Sequence, residues 1–157
     1  MKIQVLQEQL IRGLSQVERA IAARAQLPVL ANCLLEATKE GLTLSATDLE
    51  LGMRSKVPAK VEEEGRVTVP AKMLAEFLAT LAPGKVELTL EKEALIVKTG
   101  NYSARLQTMS VDEFPQLPEV TKDTLIGKVG VKELMGAVEK VIFASARDSL
   151  RPVLTGI

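Results

Sequence analysis

The spacing of apolar residues changes several times along the chain, and each change predicts a new element. Residues 1–6 alternate between apolar and polar as a β-strand does. Over residues 7–23 the apolar positions recur at helical spacing: Leu10, Ile11, Leu14, Val17 and Ile21. Three alternating runs follow after Pro28, namely VLANCLLEA, GLTLSAT and LELGMRSKV. The pattern predicts a β-α-β-β-β unit.

The same order of elements then begins again. GRVTVP predicts a strand over residues 65–70, and Pro70 suits the start of a helix. The apolar stripe of that helix is Met73, Leu74, Phe77, Leu78 and Leu81. KVELTLE, EALIVKT and NYSARLQTM alternate as three further strands. We therefore predict a second β-α-β-β-β unit, and an α+β fold class.

A third round starts after DEFPQLPEVTKD, whose prolines and acidic residues are typical of a linker. Residues 124–146 again predict a strand followed by a helix. Displaced by 124 positions, residues 129–157 align without a gap on residues 5–33, with 8 identities in 29 positions that include Pro-Val-Leu. A repeat at a fixed offset indicates a duplicated architecture. We expect a complete domain over residues 1–120 and the start of a second over 121–157, with LRPVLTGI opening a strand whose sheet is interrupted.

Composition narrows the possible functions. The chain has no histidine and one cysteine, Cys33, which excludes Ser-His-Asp and Cys-His catalysis and gives no metal-ligand cluster. No segment approaches the ~20 apolar residues of a membrane span, so we expect a cytoplasmic protein that does not bind membranes. The formal net charge is +0. A nucleic-acid role would therefore need a local basic patch, and we expect no cofactor and no metal.

Several motifs resemble one family. LPVLAN, ATDLELGM, the spacing from Val67 to Pro83 and DEFPQLP at Asp112 to Pro118 are similar to the bacterial DNA polymerase III beta subunit, the sliding clamp, over the whole chain. The resemblance implies a DNA-clamp fold, in which each domain is a pair of β-α-β-β-β units with antiparallel sheets outside and helices facing the ring interior. It implies a non-catalytic homodimeric ring that encircles duplex DNA independently of sequence and confers processivity on the replicative polymerase.

The resemblance also implies site residues. The DNA contacts would be Arg24, Lys72, Arg147, Asp148, Pro152 and Val153. Arg24 also fits a cation at a helix C-terminus, whereas Lys72 in a first turn opposes the helix dipole. Asp148, Pro152 and Val153 depart from family members that carry an amide and aromatic residues there, which leaves the DNA contact of this loop open.

Two further surfaces follow from the resemblance. Arg151 and Leu154 match the groove that binds short peptide motifs of polymerase and clamp-loader subunits, although Leu154 is also the core counterpart of Leu30. The surface between subunits would be formed by Met73, Phe77, Asn101, Ser103, Arg105 and Gln107. The alternation along NYSARLQTM is equally that of an ordinary half-buried strand.

Two other functions remain open from the residues alone. One is a stand-alone interaction domain that dimerises through an exposed strand edge and binds a peptide without binding DNA. The other is an enzyme that uses only carboxylates, with Asp48 and Glu50 or Asp112 and Glu113 as the candidate pairs. The run of glutamates at 62–64 is interpreted as a solvated loop.

Overall fold

The computed structural model describes residues 1–21, 27–118, 127–146 and 151–157. It divides the chain into two compact units, Met1–Leu117 and Pro118–Ile157. In the first unit, two antiparallel sheets and two helices enclose one apolar core. The α+β class predicted from the sequence is therefore confirmed.

The first sheet of this unit has five strands in the order β5-β1-β7-β8-β9. These are β1 (Lys2–Leu6), β5 (Ala59–Glu63), β7 (Lys85–Glu91), β8 (Ala94–Thr99) and β9 (Tyr102–Gln107). Alternate residues of β1 and β7 are buried, as the sequence pattern requires of strands with one face on a core, whereas the first four residues of β8 are all buried. Lys60, Lys85 and Lys98 are exposed on the opposite face.

The second sheet has four strands in the order β4-β3-β2-β6. These are β2 (Asn32–Thr38), β3 (Gly41–Thr47), β4 (Gly52–Val57) and β6 (Gly65–Pro70). β2 and β3 are buried along almost their whole length, because both faces of this sheet are covered. The main core covers one face, and a small apolar cluster around Leu34 lies on the other.

The two predicted β-α-β-β-β units exchange their first strands. β1 pairs with β7, which belongs to the second unit of the pattern, and β6 pairs with β2 of the first. Each sheet therefore contains strands from both halves of the sequence. This exchange joins the halves into one cooperative domain, because neither half can complete its sheet alone.

Two helices lie against the main core. They are α1 (Gln7–Val17) and α2 (Ala71–Ala79). Gln7 is buried and its amide donates to the carbonyls of Leu78 and Leu81, at 2.9 and 3.3 Å, which satisfies acceptors at the end of α2 and ties the two helices together. Gly13 lets α1 approach the four-stranded sheet, since a Cβ there would lie 2.5 Å from Val57 Cγ2.

The structure corrects three details of the sequence prediction. The glutamates at 62 and 63 do not lie in a loop but in β5, a strand that the pattern did not predict. The first strand after α1 begins at Asn32, because Pro28–Ala31 forms a 3-10 helical turn. Residues 112–117, expected as the start of a linker over 112–123, belong to the first unit, and Phe114 is buried against the four-stranded sheet.

The second unit repeats the start of the first. It contains α3 (Val131–Val141), followed by 3-10 helical turns at Ile142–Ala144 and Pro152–Leu154. Displaced by 124 positions, α3 matches the bounds of α1, and Ile142–Ala144 matches the turn Glu18–Ala20. The repeat read from the sequence is thus present in the secondary structure. The strand expected at LRPVLTGI is wrong for Pro152–Leu154, because this segment forms a turn as Pro28–Ala31 does.

No helix among the described residues is long and apolar enough to cross a membrane.

Candidate nucleic-acid and subunit interfaces

Lys72 lies on the exposed side of α2, one residue after the start of the helix. Its ammonium group is 3.9 Å from the carboxylate of Glu76, one turn later, and both side chains are largely exposed. An exposed ion pair at this spacing contributes only about 0.3–0.5 kcal/mol to stability. Glu76 therefore competes only weakly with another anion for Lys72. Lys72 is therefore available to a phosphate group.

Two exposed cations that were not among the predicted residues lie on α1 and in the turn Glu18–Ala20 that follows it. Arg12 and Arg19 are both exposed, while Leu10, Leu14 and Val17 on the opposite face are buried. Arg12 lies within α1, and Arg19 lies in the turn Glu18–Ala20, seven residues further along the chain. In the sequence, both occupy polar positions between the apolar residues of the helical stripe, and this is the signal that could have identified them.

Three of the predicted DNA contacts, Arg24, Arg147 and Asp148, lie outside the described residues. Pro152 begins the turn Pro152–Leu154 in the second unit. Val153 is 85% exposed, so its side chain is accessible to a large ligand. Among the predicted DNA contacts, the structure thus describes the side chains of Lys72 and Val153, and both are exposed.

The two residues predicted for a peptide groove occupy the same turn of the second unit. Arg151 is exposed, and its carbonyl accepts a hydrogen bond of 2.9 Å from the backbone N–H of Leu154. The carbonyl of Leu154 in turn accepts from Ala146 N–H at 2.8 Å. Leu154 is 51% exposed, whereas Leu30, its counterpart in the first unit, is buried. An apolar side chain is therefore presented at this turn.

The residues predicted to contact another subunit lie on two neighbouring elements. β9 is the last strand of the five-stranded sheet, so its outer edge has no partner strand among the described residues. Ser103, Arg105 and Gln107 are exposed on this strand, and Asn101 is exposed in the turn before it. α2 packs beside β9. An edge strand with free backbone groups can pair with a strand of another chain.

α2 adds apolar surface next to that edge. Met73 is 55% exposed, and Phe77 is half-buried against the main core. Tyr102 at the start of β9 is 68% exposed and was not among the predicted residues. An exposed thioether and aromatic ring beside a free strand edge are typical of a protein interface.

One of the carboxylates considered for catalysis, that of Asp48, has a structural role. The Asp48 carboxylate accepts hydrogen bonds from the backbone N–H groups of Leu51 at 2.7 Å and Glu50 at 3.0 Å, and these bonds lower its pKa. They close the turn between β3 and β4, in which Leu49 has a φ of 79°. Among the described residues, no group of three or more His, Cys, Asp or Glu side chains could hold a metal ion.

A model of the DNA polymerase III beta subunit, N-terminal domain, matches residues 1–118. The chain belongs to the DNA polymerase III beta subunit family. Curated relatives include the beta sliding clamp of Streptomyces coelicolor, 36% identical over 157 residues, and that of Synechocystis, 37% identical over 169 aligned positions. Both alignments cover 100% of this chain but only 41% and 42% of the relative. The chain thus spans about two fifths of the relatives that it matches.

Solved beta subunits have the same fold. The Bacillus subtilis sliding clamp superposes with a TM-score of 0.91 at 21% identity. The superposition covers 99% of this chain and 43% of the Bacillus subtilis chain. A Pseudomonas aeruginosa sliding clamp bound to griselimycin superposes with a TM-score of 0.86 at 29% identity, covering 96% of this chain and 41% of its own. The DNA-clamp fold implied by the sequence motifs is therefore confirmed, whereas the orientation of the helices toward the interior of a ring stays a prediction.

Proposed function

We propose that the chain is the N-terminal part of a beta subunit that acts as a sliding clamp: a non-catalytic ring that encircles duplex DNA and keeps the replicative polymerase on it. The observation that carries this proposal is the family match over residues 1–118, in a chain whose matched region forms a clamp fold. Residues 1–120 would be the first clamp domain and residues 121–157 the start of the second.

DNA contacts in such a ring are made by exposed cations on the helices. We propose Arg12, Arg19 and Lys72, which the structure describes as exposed, together with Arg24 from the resemblance. Arg147, Asp148, Pro152 and Val153 would form a second DNA-facing segment. Contacts of this kind are electrostatic and independent of sequence, and they weaken as counterions compete for the phosphates.

Closure of the ring would use the edge of β9. Met73, Phe77, Asn101, Ser103, Arg105 and Gln107 would meet a different surface of a second subunit in a heterologous contact. Backbone pairing along β9 would continue the sheet of one subunit into the next. The apolar residues of α2 would exclude water beside this pairing. Arg151 and Leu154 would contribute to a groove for short peptides of polymerase and loader subunits. None of the similarities supports the stand-alone interaction domain that the sequence left open.

The test uses the full-length subunit of which this chain forms part. The protein is loaded onto circular plasmid by its clamp-loader subunits, because a closed ring cannot pass onto circular DNA unless it is opened. The DNA fraction is then separated by gel filtration, before and after the plasmid is cut once. A ring is retained on circular DNA and slides off after cutting, since its attachment is topological. Equal retention on cut and circular DNA, or none on either, would contradict the proposal.

Charge variants locate the DNA-facing surface through the salt dependence of binding to linear duplex, where attachment is not topological. Arg12→Gln, Arg19→Gln and Lys72→Gln together should lower the salt concentration at which binding is lost, because each phosphate contact contributes about 0.9 to the slope of log affinity against log salt. The matched control removes three exposed cations from the outer face of the five-stranded sheet, with Lys60→Gln, Lys85→Gln and Lys98→Gln. Equal effects of the two triple variants would reject the assignment to the helices.

A further inference from the structure

The motif DEFPQLP was the most specific part of the resemblance, but none of its residues has a role in the proposed function. In the structure its first six residues, 112–117, belong to residues 109–117, which leave the five-stranded sheet and cross the outer face of the four-stranded sheet. We call these residues the strap. It begins where Thr108 N–H donates to the carbonyl of Glu93, at 3.0 Å, and it ends at Leu117, the last residue of the first unit.

The first anchor of the strap is a threonine inside the sheet. Thr68 on β6 is fully buried, and its hydroxyl donates to the carbonyl of Met109 at 2.8 Å. The same hydroxyl accepts from Met109 N–H at 3.2 Å. One side chain therefore satisfies both backbone groups of Met109, and this reciprocal pair fixes where the strap enters the sheet face.

The second anchor is the aromatic ring of Phe114. A short turn precedes it, in which the Ser110 side chain accepts from Asp112 N–H at 3.2 Å and the Phe114 N–H donates to Val111 O at 3.1 Å. The ring is buried against Val29, Leu30 and Leu34, with Met109 and Val111 packed beside them. This cluster is separate from the main core and contains four buried residues.

The third anchor is at the end of the strap. Arg54 Nη2 on β4 donates to the carbonyl of Leu117 at 2.9 Å. Leu117 also lies over Gly52, where an added Cβ would be 2.7 Å from Leu117 Cδ2. The strap is thus attached to β6, to the Phe114 cluster and to β4, and so it spans the whole width of the four-stranded sheet.

We propose that the strap is a clasp, a segment that closes over Val29 and Leu30 and opens without unfolding of the main core. The free energy that holds it comes from one ring, a few smaller apolar side chains and hydrogen bonds at its two ends. Segments with few buried apolar contacts open at a lower free energy than the global unfolding of a domain. The closed clasp has two effects: it pins the turn Pro28–Ala31, and it fixes the point at which the chain leaves the first unit.

Hydrogen exchange of the 157-residue chain, resolved by residue, tests the proposal. Phe114→Ala should speed exchange of the Met109, Phe114 and Leu30 amides by at least about tenfold, because truncation of a buried phenylalanine removes most of the apolar contact that closes the strap. Amides of β1, β7 and β8, which belong to the main core, should exchange as in the wild type. Thr68→Val keeps the side-chain shape and removes the hydroxyl, so it should speed exchange at Met109 with a smaller effect at Phe114.

The matched control is Tyr102→Ala, which truncates an exposed aromatic residue outside the strap and should leave the strap amides unchanged. Three outcomes would overturn the proposal. In the first, the amides of β7 and β8 accelerate together with the strap in the Phe114 or Thr68 variant, which would make the strap part of the global core. In the second, neither variant changes the exchange of the strap. In the third, the strap amides of the wild type exchange as fast as those of an unfolded chain, which would mean that no clasp closes.

Discussion

α1 and α3 have the same length and the same apolar spacing, but their apolar faces have different surroundings. Leu10 and Val17 are fully buried in α1, whereas their counterparts Leu134 and Val141 are 50% and 48% exposed in α3. α1 packs against β3 and β4 of the four-stranded sheet and against α2. Within the second unit, the described residues contain no strand to cover α3. The comparison shows that the spacing of leucines specifies the helix and its apolar side, while burial depends on a sheet assembled from other parts of the chain.

The largest expected difference concerns thiol reactivity at a pair of positions related by the repeat. Cys33 is fully buried and burial raises the pKa of its thiol to about 12, whereas its counterpart Ile157 is 69% exposed. At neutral pH we expect iodoacetamide to alkylate the wild type at least about a thousandfold more slowly than a Cys33→Ser, Ile157→Cys variant, since the thiolate is the nucleophile. Mass spectrometry at timed intervals measures both rates.

The control for the thiol experiment is the same reaction in denaturing urea, where the two proteins should react at similar rates. A similar rate without urea would mean that the first unit opens readily, and the contrast between the two units would then be wrong.

The next effect concerns the leucines themselves. Leu10→Ala should lower the free energy of unfolding by about 2–5 kcal/mol, because it leaves a cavity in a close-packed core. Leu134→Ala should cost less than about 1 kcal/mol, since half of that side chain is already exposed. Urea unfolding followed by circular dichroism gives both values. Equal losses would show that α3 is packed as tightly as α1.

The smallest effect concerns the glycine at the contact of α1 with its sheet. Helix propensity alone predicts that Gly13→Ala stabilises by about 1 kcal/mol. We expect the opposite, a loss of about 1–3 kcal/mol from overpacking, because the new Cβ would meet Val57 and Leu44 at 2.5 and 2.9 Å. The counterpart Ala137 is exposed. Ala137→Gly should therefore lower the free energy of unfolding only by the difference in helix propensity, about 1 kcal/mol or less.

The two glycine and alanine variants are measured by the same urea titration, with wild type as the reference. A gain of stability in Gly13→Ala would mean that α1 can move away from the sheet without loss.

Lys72 illustrates which candidate site residues a sequence motif can select. The resemblance selected it, and the structure shows an exposed cation with only a weak ion pair. Arg12 and Arg19 are also exposed, but the apolar stripe that predicts α1 does not select the polar positions between its residues. Tyr102 was also not selected. In the alternation along β9 it shares its side with Leu106, which is buried, but Tyr102 lies at the end of the strand and is exposed to solvent.

By itself, the sequence determined which segments form helices and most of the strands, the repeat at 124 positions and the family. These depend on local spacing and on motifs that are contiguous in the chain. Only the tertiary structure decided that β1 and β6 exchange between the two halves, that residues 59–63 form a strand, and that Phe114 closes a strap instead of lying in a linker. Each of these depends on pairing or packing between residues far apart in the chain, and the spacing of residues within one segment contains no information about its distant partner.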